Sequence, residues 1–418
     1  MRLLTFSAVG WLAFFAPGAN VLLAADMLRL PAGKPVVEPL PGQTFDYDAL
    51  GLRMGGFTLL PSVATSLTFD DNLYASASGK VGDTAAIFSP RLELQSNWSN
   101  HFLRIEAGAD IYRYASETRF NRTDASLGAQ ARIDVARDMG IGVTGSIAAL
   151  HEEPGTPGSG AGAASPVPVT KSDASVTVFR SFNRLSAAVG ASFERREYKD
   201  VAALGGGTID EHIRDGNGYL VGGRLGYEFM PGETVFADIR YNWRVYDTQG
   251  LVNQDSRGVV ALAGLQFALT GLLDGEISVG YMAQDYEDAA LNDVSGLSYA
   301  SKLAWRATTL TTVTLSGLRS IRDSADGGGG LVASSVGLAV EHELLRNIML
   351  HGALRVEVDE FGQSSRRDVL LRPMLGFEYK MNRYFSFGGQ YEFIADNSNV
   401  DASDYQKNRV TLNAKAKF

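Results

Sequence analysis

Residues 235–247 read VFADIRYNWRVYD. The odd positions from 235 to 245 are Val, Ala, Ile, Tyr, Trp and Val; the even positions from 236 to 246 are Phe, Asp, Arg, Asn, Arg and Tyr. A pleated strand sends alternate side chains to opposite faces. The stretch therefore predicts a strand with one oily, aromatic face and another that carries Asp238, Arg240, Asn242 and Arg244. Any fold containing it must supply two different environments on the two sides of one sheet.

The same rhythm recurs along the chain. Phe88, Leu92 and Leu94 alternate with Ser89, Arg91, Glu93 and Gln95; Leu103, Ile105, Ala107 and Ile111 with Arg104, Glu106 and Asp110; Leu127, Ile133 and Val135 with Ser126, Arg132 and Asp134. It returns in stretches that include 259–269, 297–305, 348–358, 371–379, 385–393 and 410–418. There are about eighteen such segments, each near the roughly ten residues that a tilted membrane strand requires. Their connections alternate in length. Trp98–His101, Ala136–Gly140, Met230–Thr234 and Lys380–Arg383 are short; Asp71–Thr84, Glu152–Ser172, Tyr198–Asn217, Asp323–Gly330 and Asp396–Asp404 are long and polar. Outer-membrane barrels show this asymmetry, with tight periplasmic turns and longer external loops.

Composition agrees. The 418 residues include 46 glycines, no cysteine and five histidines, with a formal net charge of −9. Disulfide frameworks and thiolate metal sites are excluded, and the absence of a basic stripe argues against nucleic acid as a partner. Residues 1–25, with Arg2 followed by an apolar run and small residues, have the layout of a secretory signal peptide. Residues 26–50 read as a periplasmic leader with spaced prolines, and residues 51–418 as the barrel. EEPGTPGSGAGAASPVPVT, beginning at Glu152, is expected to be a mobile outer loop. GGGG at 327–330 lacks the following Lys-Ser/Thr of a phosphate loop.

In hydrocarbon every backbone N–H and C=O must be satisfied within the protein, so the only sheet that spans a membrane is a closed one. The expected fold is an all-β, transmembrane, antiparallel up-and-down barrel of 16–18 strands, a size that leaves an aqueous lumen. Trp98, Tyr227, Phe229, Trp305, Phe377, Tyr379 and Phe385, near short turns, would form a periplasmic aromatic girdle.

The inward faces supply the candidate pore lining: Arg91, Glu93, Arg104, Glu106, Arg132, Asp134, Arg224, Asp238, Arg240, Arg244, Arg306, Arg355, Glu357 and Arg372, with Glu228, Lys302 and Glu378 on the same faces. So many charges do not fit a dry core, where an unpaired charge costs several kcal/mol. Two readings remain open: a lattice of ion pairs bracing the wall, or a cation-rich track that guides an anionic or hydroxyl-rich solute with the planar donor fork of arginine. No catalytic residue, cofactor or metal ligand is expected. His151 and His212 belong to loops, His342 lies near a short turn, and no two histidines have ligand spacing.

From about Gly51 onward the chain resembles the putative β-barrel porin type 2 family of Gram-negative outer membranes. The stretches that carry the resemblance are GGFTLLPSVATSLTFDDNLYAS, SPRLELQSNWSNHFLRIEAGADIYRY, NRTDASLGAQARIDVARD and GYEFMPGETVFADIRYNWRVYD. The final RVTLNAKAKF resembles the C-terminal strand of bacterial outer-membrane proteins, which implies that Phe418 is read by the barrel-assembly machinery and that its strand closes the barrel against the first. The family resemblance implies an outer-membrane pore for an exopolysaccharide handed on by a periplasmic export protein. Passage of that polymer is the leading expectation, and a general or solute-specific diffusion porin for small hydrophilic solutes is the alternative. A structural or adhesive barrel, or a barrel enzyme, comes behind both.

Overall fold

The structure is a computed structural model that describes Tyr47 and residues 49–155, 162–248, 252–324, 329–400 and 403–418. The expected signal peptide and nearly all of the expected leader lie outside the described residues. Eighteen strands form the wall. They are β1 (Phe57–Asp70), β2 (Asp83–Ser96), β3 (Phe102–Tyr114), β4 (Arg122–Ala136), β5 (Met139–Glu152), β6 (Val167–Phe182), β7 (Leu185–Tyr198), β8 (Gly216–Met230) and β9 (Glu233–Tyr246). The others are β10 (Ser256–Leu269), β11 (Leu273–Tyr286), β12 (Val294–Thr308), β13 (Thr311–Asp323), β14 (Gly330–Leu345), β15 (Ile348–Phe361), β16 (Arg367–Lys380), β17 (Phe385–Ser398) and β18 (Tyr405–Lys417).

Each strand pairs antiparallel with its sequence neighbours, and β1 closes the ring on β18 in a register running from Ser62↔Lys417 to Asp70↔Arg409. The backbone N–H of Phe418 donates to the Pro61 carbonyl at 3.1 Å. A short strand, Leu52–Met54, folds back onto Phe57–Leu59, below the point where the β1–β18 pairing ends. Closure of this kind removes both sheet edges.

The alternation is obeyed by β9 in full. Val235, Ile239, Tyr241 and Trp243 are exposed on the outside, whereas Phe236, Asp238 and Arg240 are buried on the inside. The outer wall elsewhere is equally apolar, with Leu127, Val189, Leu225, Leu297 and Leu375 all exposed. Exposed apolar surface on this scale needs an apolar partner, and a closed antiparallel wall supplies the backbone hydrogen bonds that hydrocarbon cannot. Of the expected girdle, Trp98, Tyr227, Trp305, Phe377, Tyr379 and Phe385 are exposed on the outer wall, while Phe229 is half-buried.

There is no single dry core. The apolar clusters are small and lie towards the long loops. One joins Ala163, Val167, Val169, Tyr198 and Val201; another joins Met282, Val294, Ile321 and Val332. Part of the stretch expected to be a mobile loop is packed. Its residues 156–161 are outside the described residues, but Ala163, Ala164 and Val167 are buried. Their apolar side chains find partners on β6 and in the connection after β7.

Candidate channel and its charged lining

Inward glycines make room for the largest inward side chains. A Cβ on Gly108 would fall 2.4 Å from Arg91, its cross-strand partner, whose guanidinium lies over the glycine to reach Asp110 at 2.6 Å. A Cβ on Gly264 would fall 2.4 Å from the Phe236 ring, and Arg224 stacks on that ring at 3.6 Å. Cation–aromatic stacking of this kind is strongest where water is excluded.

Most of the charges read from the sequence are paired inside the barrel. Towards the short turns, Arg104 bridges Glu93 at 2.9 Å and Glu106 at 2.5 Å, Arg132 pairs with Asp134 at 3.0 Å, and Arg306 with Asp274 at 2.5 Å. At mid-height Asp238, with no exposed surface, accepts from Arg240 at 2.7 Å and lies 4.0 Å from Arg224, which also pairs with Glu276 at 2.6 Å. Glu357 accepts from Arg355 through Nε at 3.1 Å and from Arg322 at 2.5 Å, and Arg322 reaches Asp359 at 2.7 Å. Arg244 pairs with Asp323, and Arg372 lies near Tyr405 without an ion pair among the described residues.

Higher up, the chain turns into the bore at two places. After β5, Glu153 takes Arg122 at 2.6 Å and Arg409 at 2.7 Å, and the Tyr405 hydroxyl donates to the Gly155 carbonyl at 2.8 Å. Arg409 and Tyr405 belong to β18, separated from β5 by four intervening strands round the ring. On the other side, the pairing of β13 with β12 stops at Arg319, yet β13 stays paired with β14 as far as Asp323↔Gly330. The freed hairpin leans inward. Ile321 and Val332 cover Met282 and Val294 on the inner faces of β11 and β12, and Asp323 reaches Arg244 on β9, past three intervening strands. A third element, the connection after β7, is tied down by Arg214, which holds Glu152 and Glu211, each at 2.8 Å.

Between these elements lies a cavity of about 630 Å³. Eleven of its lining side chains are lysine or arginine and six are carboxylates. Several further acids, among them Asp238, Glu357 and Asp70, are buried behind the guanidinium and ammonium groups they pair with. The lining thus turns its cations toward the water, although the whole chain carries a net charge of −9.

Of the residues singled out from sequence, Arg240, Arg244 and Arg372 line this cavity; Arg91, Glu93, Arg104, Glu106, Arg132, Asp134 and Arg306 are outside its lining. Lys171, Arg196, Lys407 and Arg409 line it as well and were not expected. Each continues the inward parity of a segment recognised from the sequence, beyond the point where its apolar face ends. The histidines have polar neighbours: His151 lies 2.6 Å from Asp124, His212 2.8 Å from Asp215, and His342 3.0 Å from the Thr311 hydroxyl. The His212 imidazole is pushed above its ordinary value by its hydrogen bond to Asp215. Among the described residues no group of three His, Asp or Glu is arranged to hold a metal ion.

The profile of the family described as Putative beta-barrel porin 2 matches residues 45–418. No curated protein matches the chain in sequence. Similar solved structures include OpdO of Pseudomonas aeruginosa, with 14% identity over 87% of this chain and 97% of that one at a TM-score of 0.46. OpdK, an outer-membrane protein of the same organism, has 10% identity over 86% and 99% at 0.48. OccAB3 of Acinetobacter baumannii has 11% identity over 87% and 100% at 0.46.

Proposed function

Because the chain belongs to the Putative beta-barrel porin 2 family of barrels, we propose that it is a passive outer-membrane channel for small hydrophilic solutes that favours anions. The observation that carries this reading is the cavity of about 630 Å³ in which cationic side chains outnumber acidic ones by eleven to six. Its volume falls in the range of about 300–1,000 Å³ typical of small-molecule sites. A cleft lined by one sign of charge raises the local concentration of the opposite ion, and guanidinium groups are weakly hydrated donors suited to oxyanions.

Exopolysaccharide export, the first expectation from the family resemblance, draws no support from this geometry. The turn at Glu153–Gly155 and the hairpin ending at Asp323 both lean into the bore and tie to non-adjacent strands. They leave a chamber suited to one small molecule at a time, where a polymer needs an open bore.

The test is conductance of the purified barrel in planar bilayers under a potassium chloride gradient, with liposome swelling in neutral sugars alongside. The expected result is an open channel whose zero-current potential reports chloride preference. A cation-selective channel, or a barrel that conducts nothing, would sink the reading.

A further inference from the structure

Arg372 differs from the other arginines that line the cavity. Arg122, Arg196, Arg214, Arg240, Arg244, Arg319, Arg322 and Arg409 each have a carboxylate within 4.0 Å. Arg372 forms no ion pair with any described residue, and its Nε is buried without a hydrogen-bond partner. It lies near Tyr405, whose hydroxyl donates to the Gly155 carbonyl at 2.8 Å.

Its neighbours make the lack of an acid more costly. In the β15–β16 register Arg372 stands directly opposite Arg355, and like charges facing each other across a ladder are destabilising. Arg355 already has Glu357. Lys407 and Arg409 line the same cavity from β18 and are both drawn to Asp70. Glu392, on the strand between, is turned toward Arg409 at 3.9 Å. The wall is also irregular at this point, because the β16–β17 pairing skips from Leu371↔Ala395 to Met374↔Glu392. Pro373 lies in that gap and has no N–H to give. The result is a half-buried planar cation without a carboxylate, lining the chamber beside Tyr405.

We propose that Arg372, flanked by Lys407 and Tyr405, is the specificity-determining residue at which the channel holds the oxyanion group of its solute, a carboxylate or a phosphate monoester. The inference rests on the anion-preferring channel read above and adds the point of contact. An oxyanion there accepts from the two terminal N–H groups of the fork, which are not buried, in the bidentate geometry arginine offers and lysine does not.

The experiment adds gluconate, glucose 6-phosphate or glucose to single wild-type, R372Q, R372K and R195Q channels and records current interruptions. Arg195 faces outward and is paired with Asp247, so R195Q serves as the control. The folded state of each variant is checked by its mobility shift on heating. In the wild type one or both anions interrupt the current and glucose does not, and the probe that does so identifies the oxyanion. R372Q shortens the interruptions about tenfold or more, R372K falls between, and R195Q matches the wild type. Interruptions of equal length in R372Q and wild type overturn the assignment of Arg372. So does an anion-selective wild type that neither probe interrupts. A wild type without anion preference overturns the channel reading itself.

Discussion

The two ends of the barrel interior pair their charges differently. Near the short turns the partners sit on one strand or on adjacent strands, as in Arg132–Asp134 and Arg306–Asp274, and they remain partly open to water. Toward the long loops the partners come from distant strands, as in Arg244–Asp323 and Arg409–Glu153. Between the two ends lies a largely buried knot in which Asp238 holds Arg240 and lies beside Arg224. Pairs of the first kind follow from alternation and register alone. Pairs of the second kind draw peptide into the bore and determine how wide it is.

This contrast orders the expected effects. Asp238→Ala removes the acid from the knot and leaves two guanidinium groups buried. It should cost about 3–5 kcal/mol in urea unfolding from lipid bilayers, and a cost near zero would mean that water reaches the knot. Glu153→Gln loosens the turn tied to Arg122 and Arg409. It should cost about 1.5–3 kcal/mol and raise single-channel conductance, and unchanged conductance would show that this turn does not narrow the path. Arg306→Gln, at the open end, should cost no more than about 1 kcal/mol and leave conductance unaltered.

Acidification sharpens the same comparison. Burial alone would raise the Glu153 carboxyl, but Arg409 and Arg122 outweigh it and hold the group well below the ordinary glutamate value. A carboxylate depressed in this way stabilises the folded state above its unfolded pKa and loses that contribution only as pH falls through the folded value. The Glu153 contacts should therefore persist through the usual glutamate range, and conductance should stay level from neutral pH to about pH 5. A rise of conductance between those limits would show that the turn is released by ordinary carboxylates elsewhere.

Legibility from sequence follows the same division. All eighteen strands were visible as alternation, because lipid on one side and water on the other impose a period of two on each. Their upper ends were not. Residues such as Lys171, Arg196 and Lys407 stand where the outward face is also polar, as at Thr170, Arg195 and Gln406, so the period fades while the pleat continues. Glu153 and Asp323 could not be found by any local pattern. One lies in a connection and the other at a strand end, and their positions depend on contacts with residues far away in the chain. The outward aromatic rings near the short turns were readable for the converse reason, since all but Trp98, which sits in a turn against Phe57, are placed by their own strands.

The seam between β1 and β18 joins residues more than three hundred positions apart, and it is in phase. A slip of one residue in any hairpin would exchange the faces of every strand after it. The error would surface where the ring is sealed, as oily side chains turned to water beside correctly placed ones. The last joint thus acts as a parity check on all the earlier ones, and a chain that has miscounted anywhere is left with an edge it cannot seal.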